Sequence, residues 1–224
     1  VTAFILDLDG TLVDSVYQHV LAWDSALQEC GMPLGMWRLH RKIGLGDDFL
    51  VNGLSLELGR SIDEETSKKL QSLHGKAFAG MRDSIRPFAG ANELLRSFEE
   101  NGVKYAIATT GKREDVQPLL DKLEVPRGVP VLFKEDATNP KPSPDLFLNA
   151  AKKLNTPSEE TMVVGDSVWD MLAARRAHFL GIGLLCGGYA ESEMTAAGAF
   201  RVYADPAQLR DHLYEAGVTI KKGQ

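Results

Sequence analysis

The sequence predicts an α/β protein: a Rossmann-like parallel sheet with helices on both faces, into which an all-helical cap is inserted after the first strand. Three observations carry that expectation. A short apolar run, Ala3-Phe4-Ile5-Leu6, stops abruptly at Asp7-Leu8-Asp9-Gly10-Thr11, as a buried strand does where it enters a turn. From Asp14 to Ser84 the apolar spacing is helical, with no strand signal of comparable strength. Beyond Arg86-Pro87-Phe88-Ala89-Gly90 short apolar runs alternate with helix-length segments, the grammar of right-handed crossovers and a parallel sheet. On this pattern residues 1–14 and 85–224 form the α/β core and residues 15–84 the helical cap.

Ser15 stands where it can N-cap a helix carrying Val16, Val20, Trp23 and Leu27 on one face, and Gly31-Met32-Pro33 stops that helix. Helices are also expected over residues 36–42, 47–58 and 63–81. After the cap, the spacing predicts a helix over 91–101 closed by Gly102, a strand over 103–108, a helix over 114–123 and a short strand over 129–133. Ser143 as N-cap, with Pro144 in the first helical position, opens a helix that runs to residue 154. Strand 161–165, helix 168–177, strand 180–185, helix 191–197, strand 200–203 and helix 206–216 complete the alternation. The connections at Asp14-Ser15 and at residues 84–87 are the candidate hinges between cap and core.

Composition narrows the classes of function. The 224 residues suit one large domain or two small ones, and 44% hydrophobic with 25% charged residues is an ordinary globular balance. Lys and Arg total 25 against 31 Asp and Glu, a net charge of -6, so no nucleic-acid partner and no membrane partner is expected. An anionic ligand must then be held by local charges or by a metal. Cys30 and Cys186 match no metal-ligand spacing and read as free thiols in a reducing, cytoplasmic setting. The opening apolar run is too short for a signal segment, and no apolar stretch approaches the roughly 20 residues of a membrane span. Oligomeric state leaves no mark in the sequence.

In open parallel sheets ligands bind at the carboxyl ends of the strands. Three apolar runs end in candidate residues: Asp7 and Asp9 after the first, Thr109 and Thr110 after the second, and Asp166 after residues 161–165. Asp7 and Asp9 point the same way if the strand persists, and Asp166 and Asp170 share a helix face if the turn between them is already helical. Carboxylates crowded in one place raise one another's pKa unless a cation sits among them, and oxygen-only ligands point to Mg²⁺.

Four segments then align in order. Asp7-Leu8-Asp9-Gly10-Thr11-Leu12-Val13-Asp14-Ser15, Ala106-Ile107-Ala108-Thr109, Lys141-Pro142 and Val164-Gly165-Asp166-Ser167-Val168-Trp169-Asp170 together resemble the motifs of the haloacid dehalogenase-like hydrolase superfamily. The likeness is to its phosphatase branch with a helical cap after the first strand, the phosphoglycolate phosphatase and β-phosphoglucomutase-like group. It implies that Asp7 is the nucleophile, that Asp9 is the general acid and base, and that Thr109 binds phosphoryl oxygens. By the same resemblance Lys141 is expected to offset charge, and Mg²⁺ to be held by Asp7, the Asp9 backbone carbonyl and Asp166, with Asp170 orienting a bound water. The implied reaction is hydrolysis of a small phosphorylated metabolite through an aspartyl phosphate. A β-phosphoglucomutase-like sugar phosphomutase and a non-catalytic binding member are the alternatives. For the mutase, the arginine that holds a second phosphate in that group aligns with Asp47, an acid.

Around these motifs, Thr110 and His19 are candidate substrate contacts, His19 because the segment through Ala22 and Trp23 resembles the cap helix of sugar-phosphate-acting relatives. Arg41 and Lys42 precede the glycine loop Ile43-Gly44-Leu45-Gly46-Asp47-Asp48, where the family's cap contributes specificity, and are candidates too. His40, His74, His178 and His212 show no partner pattern, and Trp23, Trp37 and Trp169 read as packing residues.

Overall fold

The computed structural model describes residues 3–219. In chain order they form β1 (Ala3–Leu6), α1 (Val16–Glu29), α2 (Met36–His40), α3 (Asp47–Leu58) and α4 (Glu64–Met81). These are followed by α5 (Ala91–Glu100), β2 (Lys104–Ala108), α6 (Arg113–Lys122), β3 (Val131–Leu132) and α7 (Asp145–Leu154). Finally come β4 (Thr161–Gly165), α8 (Val168–Arg176), β5 (Leu180–Leu184), α9 (Glu191–Ala197), β6 (Ala199–Tyr203) and α10 (Pro206–Asp211).

The strands make one parallel sheet in the order β3-β2-β1-β4-β5-β6. β1 lies centrally with both faces covered, which is why its four residues are all apolar instead of alternating. Successive side chains point to opposite faces. Phe4 and Leu6 join the cluster holding Leu94 and Phe98 of α5 and Leu119 of α6, whereas Ala3 and Ile5 join Phe147 of α7 and Ala174 of α8. From β1 the chain winds outward one way through β2 and β3, then returns to β4 on the other side. That reversal opens a crevice at the carboxyl ends of β1 and β4, the switch point where such sheets take ligands.

Helices α1 to α4 enclose an apolar cluster of their own, with Val20, Trp23, Leu27, Leu39, Leu54 and Leu70 at its centre. The two segments joining this helical cap to the sheet pair with each other: Asp14 N donates to Arg86 O at 2.9 Å and Phe88 N to Leu12 O at 3.0 Å.

Several local expectations change. The Ser15 hydroxyl does not cap α1; it donates to Asp9 Oδ1 at 2.6 Å. Helix α7 starts one residue later than expected, with Pro144 as its N-cap, because the Ser143 hydroxyl donates to the Asp145 carboxylate at 2.8 Å. Only Val131 and Leu132 of the short third strand pair with β2. The last helix breaks at His212 into α10 and a 3-10 turn at Leu213–Ala216. Cys30 and Cys186 are free thiols. Among the described residues no helix is long and apolar enough to cross a membrane.

Candidate active site

Although β1 ends at Leu6, Asp7 N still donates to Val164 O at 2.9 Å, so the Asp7 carboxylate is held between the ends of β1 and β4. The Lys141 ammonium, 1% exposed, lies 2.8 Å from Asp7 Oδ1 and 2.8 Å from Asp170 Oδ1. Asp170 does not reach the site by sharing a helix face with Asp166, which precedes α8. It arrives through a capping box: Ser167 N and Oγ donate to Asp170 Oδ2 at 3.1 and 2.6 Å, and Asp170 N donates to Ser167 Oγ at 3.3 Å. Asp166 Oδ1 accepts a hydrogen bond from Thr11 Oγ1 at 2.9 Å.

One oxygen from each of Asp7, Asp166 and Asp170 lies within 4.8 Å of the others. Three buried carboxylates thus face one buried ammonium. Burial pushes Asp7 up to about 7, with Lys141 opposing the shift and Asp170 adding to it. Burial, then Asp170 and Asp7, hold Asp166 well above the usual carboxylate range. Burial by itself would depress Lys141, but Asp170 and Asp7 outweigh it and raise its pKa. A compact set of hard oxygen donors with negative charge in excess is the chemistry that fits a divalent cation.

The Asp9 carboxylate belongs to a different neighbourhood. It accepts from Ser15 Oγ at 2.6 Å, faces His19 Nε2 at 3.3 Å, and has Thr109 Oγ1 at 3.4 Å. Burial disfavours its charge, yet the His19 and Ser15 hydrogen bonds and the Lys141 charge hold its pKa below the ordinary value. His19 in turn stacks on Phe78, centroids 3.9 Å apart, and its Nδ1 lies 3.1 Å from His74 Nε2. Trp23 stacks on His74 at 4.5 Å. Burial and the neighbouring His19 push His74 well below the usual histidine range, so it is neutral near pH 7.

These groups surround a cleft of about 110 Å³ between cap and core, lined at its inner end by Asp7, Asp9 and Asp166 and beside them by Thr110 and His19. Thr109 and Lys141, each 1% exposed, sit one layer behind that surface. Thr109 Oγ1 accepts from Gly111 N at 3.0 Å, which shapes the loop carrying Thr110. Arg41 and Lys42 do not line the cleft, contrary to the expectation from their place in the glycine loop. Arg41 pairs with Glu193 at 3.1 Å and lies over the Tyr189 ring, while Lys42 pairs with Glu57 at 3.0 Å. His74, Trp23 and Gln71 do line it; from sequence Trp23 reads as a packing residue, which its place in the cap's apolar cluster bears out, His74 as unpartnered, and Gln71 is not singled out. A signal existed: Gln71, His74 and Phe78 stand at positions i, i+3 and i+7 on one face of α4.

Residues 1–178 match the family model described as haloacid dehalogenase-like hydrolase. The chain belongs to that family. Relatives similar to this chain include phosphoglycolate phosphatase 1 of Pseudomonas aeruginosa, 34% identical over 178 residues that cover 77% of this chain. The match covers 65% of that relative, and the same share of the Pseudomonas savastanoi phosphoglycolate phosphatase, so it spans just under two thirds of these relatives' length. The crystal structure of a hydrolase from Pseudomonas syringae is 45% identical, superposes with a TM-score of 0.93, and is matched over 96% of this chain and 99% of its own. A family hydrolase from Deinococcus radiodurans, solved with bound phosphate and sodium, is 27% identical with a TM-score of 0.73, covering 99% of this chain and 98% of that one.

Proposed function

We propose that this hydrolase is a magnesium-dependent phosphatase that cleaves a small phosphorylated metabolite through an aspartyl phosphate on Asp7. One observation carries the reading: Asp7 and Asp9, two residues apart, reach the same crevice with separate partners, Asp7 beside the Lys141 ammonium at 2.8 Å and within the Asp166 and Asp170 carboxylate cluster, Asp9 facing His19 Nε2 at 3.3 Å. The phosphoglycolate phosphatase relatives and the phosphate-bound Deinococcus hydrolase support phosphate as the group handled.

In the first step an Asp7 carboxylate oxygen attacks phosphorus, the ester P–O bond breaks, and Asp9, which takes up a proton once the negative phosphoryl group beside it raises its pKa, gives that proton to the leaving oxygen. In the second, Asp9 takes a proton from water as the water oxygen attacks phosphorus. The bond to Asp7 then breaks, releasing inorganic phosphate. Lys141 offsets the charge that gathers on Asp7 and the phosphoryl oxygens, while Thr109 and Thr110 orient those oxygens. Asp7, the Asp9 main-chain carbonyl and Asp166 would hold Mg²⁺, with Asp170 orienting a bound water; once bound, it supplies neutralising charge to the phosphoryl group.

A phosphomutase needs a cap cation for a second phosphate. Asp47, where the mutase arginine aligns, carries the wrong sign and pairs with Lys134 at 2.6 Å, and both Arg41 and Lys42 are engaged elsewhere. A non-catalytic role is opposed by the presence of every residue in the scheme. The test is phosphate release from a panel of phosphorylated metabolites with Mg²⁺, run beside an Asp7→Asn control. Transfer of phosphate between two positions of one sugar, without release, would overturn the hydrolytic reading.

A further inference from the structure

We propose that His74 is a positioning residue for proton transfer at Asp9: it holds the His19 ring so that His19 fixes one oxygen of the Asp9 carboxyl and leaves the other free to give and take the proton. The inference rests on the phosphatase reading and adds to it a residue that acts on Asp9 through another side chain. The two oxygens of Asp9 are not equivalent. Oδ1 faces Ser15 Oγ at 2.6 Å and His19 Nε2 at 3.3 Å, whereas Oδ2 meets Thr109 Oγ1 at the longer distance of 3.4 Å. Asp9 also lines the cleft. Oδ2 is therefore the freer oxygen to protonate the leaving group and then to accept from water, while Oδ1 keeps its two partners throughout.

A hydroxyl turns about its own C–O bond and follows a carboxyl group that rotates, so Ser15 alone fixes the Asp9 plane loosely. A ring held at both its face and its edge cannot follow. His19 is such a ring: Phe78 covers its face with centroids 3.9 Å apart, and His74 Nε2 meets its Nδ1 at 3.1 Å. His74 and Phe78 are four residues apart on α4, so one helix face supplies both restraints. His74 is itself backed by the Trp23 ring at 4.5 Å, and Trp23 is buried in the cap's apolar cluster. An ionised Asp9 can only accept, so the His19 nitrogen facing it carries a hydrogen. A neutral imidazole has just one, which leaves Nδ1 to accept a hydrogen donated by His74 Nε2. His74 thus selects the His19 nitrogen that is turned toward Asp9. His74→Phe would keep the stack and lose that selection.

The experiment measures kcat/KM with Mg²⁺ for ethyl phosphate and acetyl phosphate, which are nearly equal in size and differ in the group that leaves. Ethoxide needs a proton from Asp9 and acetate does not, and kcat/KM reads the step in which that proton moves. His74→Phe should lower the ethyl phosphate constant by at least about tenfold, part of the roughly 100- to 10,000-fold that positioned proton transfer contributes, and the acetyl phosphate constant by less than about threefold. His74→Asn, whose amide falls short of the place of Nε2, should show the same selective loss and tests the idea even if the phenylalanine variant folds poorly. His74→Gln, whose amide reaches that place, should recover most of the loss. Equal losses on both esters in the phenylalanine and asparagine variants would mean a packing role and overturn the proposal. Ethyl phosphate turnover unchanged in both, or a glutamine variant as impaired as they are, would overturn it too. Release of phosphate from neither ester by the unaltered protein would overturn the phosphatase reading itself, a result distinct from a loss that ignores the leaving group.

Discussion

The Lys141 ammonium and the Asp7 carboxylate lie 2.8 Å apart and almost wholly out of solvent, at 1% and 6% side-chain exposure. This pair sits inside a larger imbalance, because Asp166 and Asp170 bring two more carboxylates to the same place. Lys141→Met removes the only ammonium that contacts the cluster among the described residues and leaves buried charge uncompensated. Loss of one partner from such an arrangement costs about 3–5 kcal/mol. The variant should therefore be inactive and unfold earlier in urea, with added Mg²⁺ recovering part of the stability but not the activity.

Asp7→Asn should abolish phosphate release while preserving the far-ultraviolet circular dichroism spectrum. The amide is nearly isosteric and keeps a hydrogen-bonding oxygen near Lys141, but it is a poor nucleophile. Normal turnover by this variant would exclude Asp7 as the attacking group.

Removal of metal with a chelator should stop the reaction, and Mg²⁺ should restore it. Binding to the folded state alone also stabilises that state, by about 2.7 kcal/mol at a hundredfold excess over Kd. The thermal midpoint should thus rise with Mg²⁺ concentration, and Asp166→Asn should remove most of that rise. A midpoint insensitive to Mg²⁺ in the unaltered protein would argue against the three carboxylates as a metal site.

Gly46→Ala should raise KM more than it lowers kcat. A Cβ at residue 46 would meet the Pro140 ring, whose Cγ would stand 2.7 Å away, so the glycine loop could not settle against the segment that carries Lys141. Unchanged steady-state constants would show that this approach is not needed for binding.

For the fold, Phe98→Ala should cost about 3–5 kcal/mol, because Phe98 is fully buried and stacks on Phe4 of β1 with centroids 4.7 Å apart. Leu56→Ala, at a residue 84% exposed, should stay within about 0.5 kcal/mol of the parent. Urea denaturation of both variants measures the contrast.

Much of the fold was legible along the chain because its signals are local. Ala3-Phe4-Ile5-Leu6 reads as a doubly covered strand from four consecutive apolar residues, and Thr161–Gly165 and Asp47–Leu58 have the limits expected from spacing and stop signals. The meeting of Asp7, Lys141, Asp166 and Asp170 followed from strand ends and motif order. By contrast, Ser15 holds the expected N-cap position but gives its hydroxyl to Asp9; Arg41 and Lys42 read as cleft cations and prove to pair with Glu193 and Glu57; His74 reads as unattached and proves to touch His19. Each of these depends on how the cap's helices turn about their axes and where they rest on the sheet. Periodicity records which face of an element is apolar. A polar side chain with several reachable partners is assigned among them only when packing brings together residues such as His19 and His74, 55 positions apart in the chain.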